Sequence, residues 1–220
     1  MPLRERKKQA TRRTLRRVAL ELITQRGFSQ VTVEDIAEAA EVSPRTFFNY
    51  FPSKEAALFG ADPARIAALR DGLVHQMPGA PALDALRVVL AGDARAVAEE
   101  LTALGGDPAV WLRRVREARA DPHLRAAQSA QMSMVERAIA DALAERLGTD
   151  ADRDPYPALL AAAATGALRV CTTFWATAGG TIPLDHLTDM AFRALADGLP
   201  ENCAMRQVTA IAVPRKDDDH

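Results

Sequence analysis

Aromatic residues make up only 5% of this 220-residue chain, and cysteine occurs twice. Cys171 and Cys203 lie far apart and cannot frame a metal site or a disulfide scaffold by themselves, which fits a reduced, cytoplasmic protein. The four histidines, His75, His123, His186 and His220, are scattered without an H-x-x-x-H pair. There is no C-x-x-C, no phosphate-cradling glycine loop and no G-x-S-x-G elbow, so neither an enzyme nor a resident metal or cofactor is expected. No charged, apolar, small-residue leader opens the chain. Residues 158–178 come nearest to a membrane span, but Arg169 interrupts them and alanine supplies much of the apolar content, so they read as a buried helix of a soluble protein. Alternating strand-like pattern is missing too, Val208 to Val213 aside.

What is abundant is Ala, Leu, Glu and Arg, the residues of helices. A hydrophobic share of 48% with 26% charged residues is ordinary for a globular protein, and this length can bury a substantial core. Charge is unevenly placed. Residues 1–27 carry nine basic and two acidic side chains, a net +7 that leaves −8 for the rest of a chain whose total is −1. A basic end on an acidic protein implies a polyanion docking at one place.

The most organised stretch is Thr32 to Lys54. Thr32 followed by Asp35 approximates a capping box, and Val33, Ile36, Ala37 and Ala40 place one apolar stripe on the helix that follows. Ser43 then caps a second helix with Pro44 at its first position, and Pro52 closes it after about two turns. Phe47 and Phe51 share its inner face, leaving Arg45, Thr46, Asn49 and Tyr50 outside. That outer face suits a DNA major groove, where Arg forks onto guanine and Asn onto adenine. Ser53 caps a third helix from Lys54.

The combination T-x-x-x-I-A, V-S, T-F-F-x-Y-F and S-K-E at this spacing resembles the DNA-binding segment of TetR-family transcriptional regulators, over roughly the first sixty residues. The resemblance implies an all-α protein. A three-helix helix-turn-helix domain over residues 1–60 would precede a larger helical effector-binding and dimerisation domain over 61–200, with a disordered tail at 201–220. By motif position, Arg45 and Asn49 are expected to read base edges. Thr32, Ser43, Thr46, Tyr50 and Lys54 would hold phosphates, and Pro44 and Phe48 would touch a thymine methyl or a sugar. The basic start of the first helix (Glu5 to Arg26, ended by Gly27) would meet phosphates or the minor groove. Three positions depart from the family pattern. Glu41 replaces a common turn glycine, so a different corner is expected. Arg45 stands where glycine is frequent, and Phe48 replaces a frequent tyrosine.

Beyond residue 60 helices are expected at 63–77, at 82–104 with a break at Gly92-Asp93, at 108–120, from Pro122 to Gly148, at 156–178 and at 184–199. Stripes of small and large residues, Leu159, Ala163, Gly166 and Val170 with Phe174 on one helix and Leu184, Leu187, Thr188, Ala191 and Leu195 on the next, read as a twofold dimer surface or as internal core. One short helix reads too few base pairs alone, so a homodimer on a palindromic operator is expected. Family resemblance also implies a small-molecule effector of unknown identity, with Trp111, Met132, Met134, Phe174 and Trp175 as an apolar lining and Arg169 or His123 as its polar contact. The resulting expectation is a cytoplasmic repressor released from DNA by that effector. The rivals are an activator or ligand-independent regulator, and a helical interaction protein without DNA binding.

Overall fold

The computed structural model describes residues 3–59, 62–103 and 122–206, and among these no strand occurs. The helices are α1 (Leu3–Arg26), α2 (Val33–Ala39), α3 (Pro44–Phe48), α4 (Lys54–Phe59), α5 (Pro63–His75), α6 (Ala82–Ala103), α7 (Pro122–Leu147), α8 (Tyr156–Thr177) and α9 (Leu184–Ala196). An all-helical chain with an N-terminal helix-turn-helix followed by a larger helical part is therefore observed. The expected helix at 108–120, the strand-like 208–213 and most of the tail lie outside the described residues. Two compact units divide the chain, residues 1–62 with 101–133 and residues 63–100 with 134–220.

In the first unit α1 begins at Leu3, two residues before the expected start at Glu5. Its stripe of Leu15, Val18, Ala19, Leu22 and Ile23 is buried together with Ile36 and Ala37 of α2, Phe47 of α3, Phe51, and Ala57 and Leu58 of α4. This core fixes the directions of α2 and α3. Gly27 ends α1 at φ 87°, ψ 154°, a conformation essentially confined to glycine, and the chain then turns through Phe28–Gln30 into α2.

In the second unit α8 and α9 pack on each other. The core joins Leu69 and Leu73 of α5, Leu86 and Leu90 of α6, Ile139 and Leu143 of α7, Ala161 and Ala164 of α8, and Phe192 of α9. The break expected at Gly92-Asp93 does not occur. Leu86, Leu90 and Ala94 carry one buried stripe through it, and Asp93 takes a two-pronged contact from Arg65. That packing outweighs the ~1 kcal/mol that a mid-helix glycine costs. Met77 (φ 54°) and Gly79 (φ 81°) turn the chain between α5 and α6.

The corner between α2 and α3 keeps the form that a glycine would give it. The Val42 N–H donates to the Ala37 carbonyl at 2.9 Å and the Glu41 N–H to the Glu38 carbonyl at 3.0 Å, a Schellman closure with Glu41 at φ 54°. The same closure ends α7 at Gly148 (φ 66°) and α9 at Gly198 (φ 77°). Glu41 thus occupies the glycine position with its side chain against the left-handed strain, contrary to the different corner expected. Glu41→Gly should raise the thermal midpoint, since the relief of roughly 1–2 kcal/mol exceeds the entropy that glycine adds to the unfolded chain. Scanning calorimetry checks this, and a lowered midpoint would show that the Glu41 side chain compensates its own backbone.

Candidate nucleic-acid interface

Local chemistry at both helix starts matches the residue types. The Thr32 hydroxyl accepts from the Asp35 N–H at 3.1 Å, while the Asp35 carboxylate accepts from the Thr32 N–H at 2.7 Å and from its hydroxyl at 2.5 Å, a complete capping box. Those Thr32 bonds hold the Asp35 carboxyl below the usual carboxylate range. Ser43 Oγ accepts from the Thr46 N–H at 3.1 Å and lies 2.9 Å from the Thr46 hydroxyl. Pro44 opens α3 without a missing donor.

Helix α3 ends at Phe48, sooner than the two turns expected, and Asn49 is its C-cap at φ −69°, ψ −18°. The Asn49 N–H donates to the Arg45 carbonyl at 3.2 Å and the Thr46 carbonyl at 3.1 Å, which keeps Asn49 over the same face as Arg45. Phe47 and Phe51 are fully buried and anchor the inner side. Arg45 and Asn49 are exposed, together with Thr32, Ser43, Pro44 and Phe48; Thr46, Tyr50 and Lys54 are half-buried. The predicted contact residues therefore gather around the two helix starts and the outer edge of α3.

Two cations expected at phosphate, Lys54 by motif position and Arg12 as part of the basic start of α1, turn inward. The Lys54 ammonium donates to the Phe28 carbonyl at 3.0 Å and the Val31 carbonyl at 2.9 Å, and sits 4.2 Å above the Phe28 ring. Two of its three N–H donors thus pin the turn that leads into α2. The Arg12 guanidinium lies 4.3 Å above the Phe51 ring, donates to the Tyr50 carbonyl at 2.8 Å and is 4.0 Å from the Asp62 carboxylate. Its burial lowers the guanidinium pKa, against the opposing pull of Asp62. Arg12 precedes Leu15 by three residues and so shares the apolar stripe, a signal that was there to be read. Arg17 pairs with Glu21 at 2.7 Å, and Arg26 stands 3.7 Å from Asp35. Arg4, Arg6, Lys7, Lys8 and Arg13 are exposed and supply the positive surface of α1.

The expected dimer residues all fall in the second unit, whereas the expected effector residues are split, Met132 in the first unit and Met134, Arg169, Phe174 and Trp175 in the second. Leu159 (66% exposed) and Val170 (51%) lie on an open face of α8, with Ala163 and Gly166 half-buried between them. Helix α8 is long and apolar enough to cross a membrane by length and composition, yet its inner side buries Ala161, Ala164, Cys171 and Trp175 in the protein. It is therefore buried along one side only, where a buried helix was expected. On α9, Leu187 and Ala191 are buried within the protomer, and Leu195 is half-buried. Of the effector residues, Trp175 is buried, Phe174 and Met132 are half-buried, Met134 and Arg169 are exposed, and Trp111 and the His123 side chain lie outside the described residues. Burial raises the Cys171 thiol to about 11, and its Sγ donates to the Leu187 carbonyl at 3.4 Å, so it stays a protonated packing group.

A capped helix, a tight corner and a short second helix with a polar edge outward define a helix-turn-helix DNA-binding protein. Residues 15–61 match the family described as bacterial regulatory proteins, tetR family, and residues 80–200 match the MftR C-terminal domain. The chain is 35% identical over 201 residues to the HTH-type transcriptional regulator TcmR of Streptomyces glaucescens, covering 90% of this chain and 86% of that protein. It belongs to the TetR family and is a DNA-binding transcriptional regulator. Its fold is similar to that of the fatty acid degradation regulator FadR from Bacillus halodurans, at TM-score 0.54 and 19% identity over 86% of this chain and 96% of that one. It is similar too to Thermus thermophilus FadR, a TetR-family repressor solved in complex with lauroyl-CoA, at TM-score 0.51 and 25% identity over 86% and 95% of the two chains.

Proposed function

We propose that the protein is a cytoplasmic, homodimeric repressor whose two α3 helices read a palindromic operator and leave it when a small molecule binds the second domain. The observation that carries the DNA reading is the division of α3 between buried Phe47 and exposed Arg45 and Asn49. An Arg and an Asn set four apart beside a cluster of helix starts bring a guanine fork, an adenine fork and phosphate-facing N–H groups to one surface. Pairing of copies through α8 is supported by Leu159 and Val170, whose apolar surface stays exposed on the isolated chain. Half-sites about 34–36 Å apart would then be met by two heads at once. For release, the effector must bind the non-reading arrangement better than the reading one. A fatty acyl-CoA is the first effector to try, because the Thermus thermophilus repressor of the same fold holds lauroyl-CoA.

Anisotropy titration of a duplex selected from a randomised pool tests this, with and without lauroyl-CoA. Arg45→Ala or Asn49→Ala should each cost roughly 1–3 kcal/mol on that duplex and relax preference at one base pair. Equal loss on selected and random DNA would remove both from base reading. A protein that sediments as a single chain would remove the twofold reading.

A further inference from the structure

Helix α3 is five residues long, so what holds its far end matters as much as its cap. The Tyr50 and Phe51 N–H groups both donate to the Phe47 carbonyl, at 2.9 and 3.0 Å, and Pro52 has no N–H with which to continue the ladder. Carbonyls beyond Phe47 therefore need donors from elsewhere. Arg12 supplies one from α1, 38 residues back along the chain. Its Nη1 donates to the Tyr50 carbonyl at 2.8 Å, its guanidinium covers the Phe51 ring at 4.3 Å, and its Nε lies 4.0 Å from Asp62, the residue ahead of α5. With 20% of its side chain exposed, Arg12 has little surface to give a phosphate. Asn49 sits between these holds. Its N–H is bonded back into α3, and the carbonyl of the next residue is the one that Arg12 takes.

We propose that Arg12 is a positioning residue for DNA reading: by holding the exit of α3 it sets the angle from which Asn49 meets its base. The inference rests on the DNA-reading role of α3 proposed above. A side-chain amide that forks onto adenine makes two directional bonds at once, so a small tilt of the exit weakens both. Arg45 lies one turn nearer the Ser43 cap and is placed by that cap instead. Loss of Arg12 should therefore fall on one base pair. A cation that held phosphate would act on every sequence alike.

The test uses the full chain and the tightest duplex from the randomised pool, with each base pair replaced in turn. Asn49→Ala first marks the pair that Asn49 reads, as the position where preference is lost. Arg12→Met keeps the stem and removes the fork and its charge. It should lose about fivefold in preference at that pair, the lower end of what a bidentate base contact contributes, and keep the preference elsewhere. The salt slope of binding should stay where it is. In the double variant the pair should lose no more than with Asn49→Ala alone. Arg12→Lys keeps the cation without the fork and should lose preference at the same pair by less; it carries the same test where the Met variant melts below the assay temperature. Equal loss at every base pair would overturn the proposal, because it is the signature of a head merely weakened. So would unchanged preference, or a salt slope reduced by about one unit, which would return Arg12 to a phosphate. An Asn49→Ala protein with every preference intact would instead overturn base reading by Asn49, and the role of Arg12 with it.

Discussion

Replacing Arg146 by alanine should lower the thermal midpoint of the second unit by several degrees. Its guanidinium donates four hydrogen bonds to main-chain carbonyls, from Nη1 to Leu73 (2.8 Å) and Gln76 (2.9 Å) and from Nη2 to Met77 (2.8 Å) and Ala80 (2.9 Å). These carbonyls belong to the last turn of α5 and to the loop before α6, where helix geometry leaves acceptors without intrahelical partners. A cation there also meets the negative end of the α5 dipole. The loop carries Met77 at a positive φ, and the Arg146 fork holds the carbonyls on either side of that strained residue. Single charge-assisted bonds contribute about 1.5–3 kcal/mol, and because four bonds from one group do not add, a loss of roughly 3 kcal/mol is expected. In a protein of this size that is about 6–12 °C, measured by scanning calorimetry. Arg146→Lys should recover less than half, because an ammonium cannot span four acceptors as a planar fork does. A loss below about 1 kcal/mol would mean that water satisfies those carbonyls equally well.

Lys54→Ala should lower both stability and DNA affinity. The ammonium ties the Phe28 and Val31 carbonyls and covers the Phe28 ring, so its removal frees the turn that sets where Thr32 begins α2. Two charge-assisted bonds and one partly buried cation–π contact make a loss of about 2–3 kcal/mol the expected result. A lysine that served phosphate alone would behave differently. Its loss would leave the thermal midpoint in place and reduce the salt slope of binding by about one unit. Chemical denaturation and a salt titration on the same variant separate the two outcomes. An unmoved midpoint with a reduced slope would restore the phosphate assignment.

Much of the first unit was legible because its signals are local. Thr32 with Asp35, Ser43 with Pro44, and the Phe47/Phe51 pair act within one turn of chain, and each appears in the structure in the role its spacing implied. Two local inferences failed for an equally physical reason. Glu41 holds the glycine conformation because the closure of α2 and the packing of α3 outweigh one left-handed residue. Gly92 does not break α6 because its neighbours are buried on one stripe. In both places tertiary packing outweighed a local cost, about 1 kcal/mol for the mid-helix glycine and roughly 1–2 kcal/mol for the left-handed Glu41.

Spacing along the chain determined the helices, their starts and the outward edge of α3, since 3.6 residues per turn fixes which side chains share a face. It could not determine what a long cation meets. Arg12, Lys54 and Arg146 each reach carbonyls tens of residues away, and no periodicity records which distant main chain comes within 3 Å. Nor could it tell which apolar stripe is satisfied within the protomer. Leu187 and Ala191 are covered by the protein itself, whereas Leu159 and Val170 are left open, because only the packing of α8 and α9 on each other and on the other helices of their unit decides which side of each is covered.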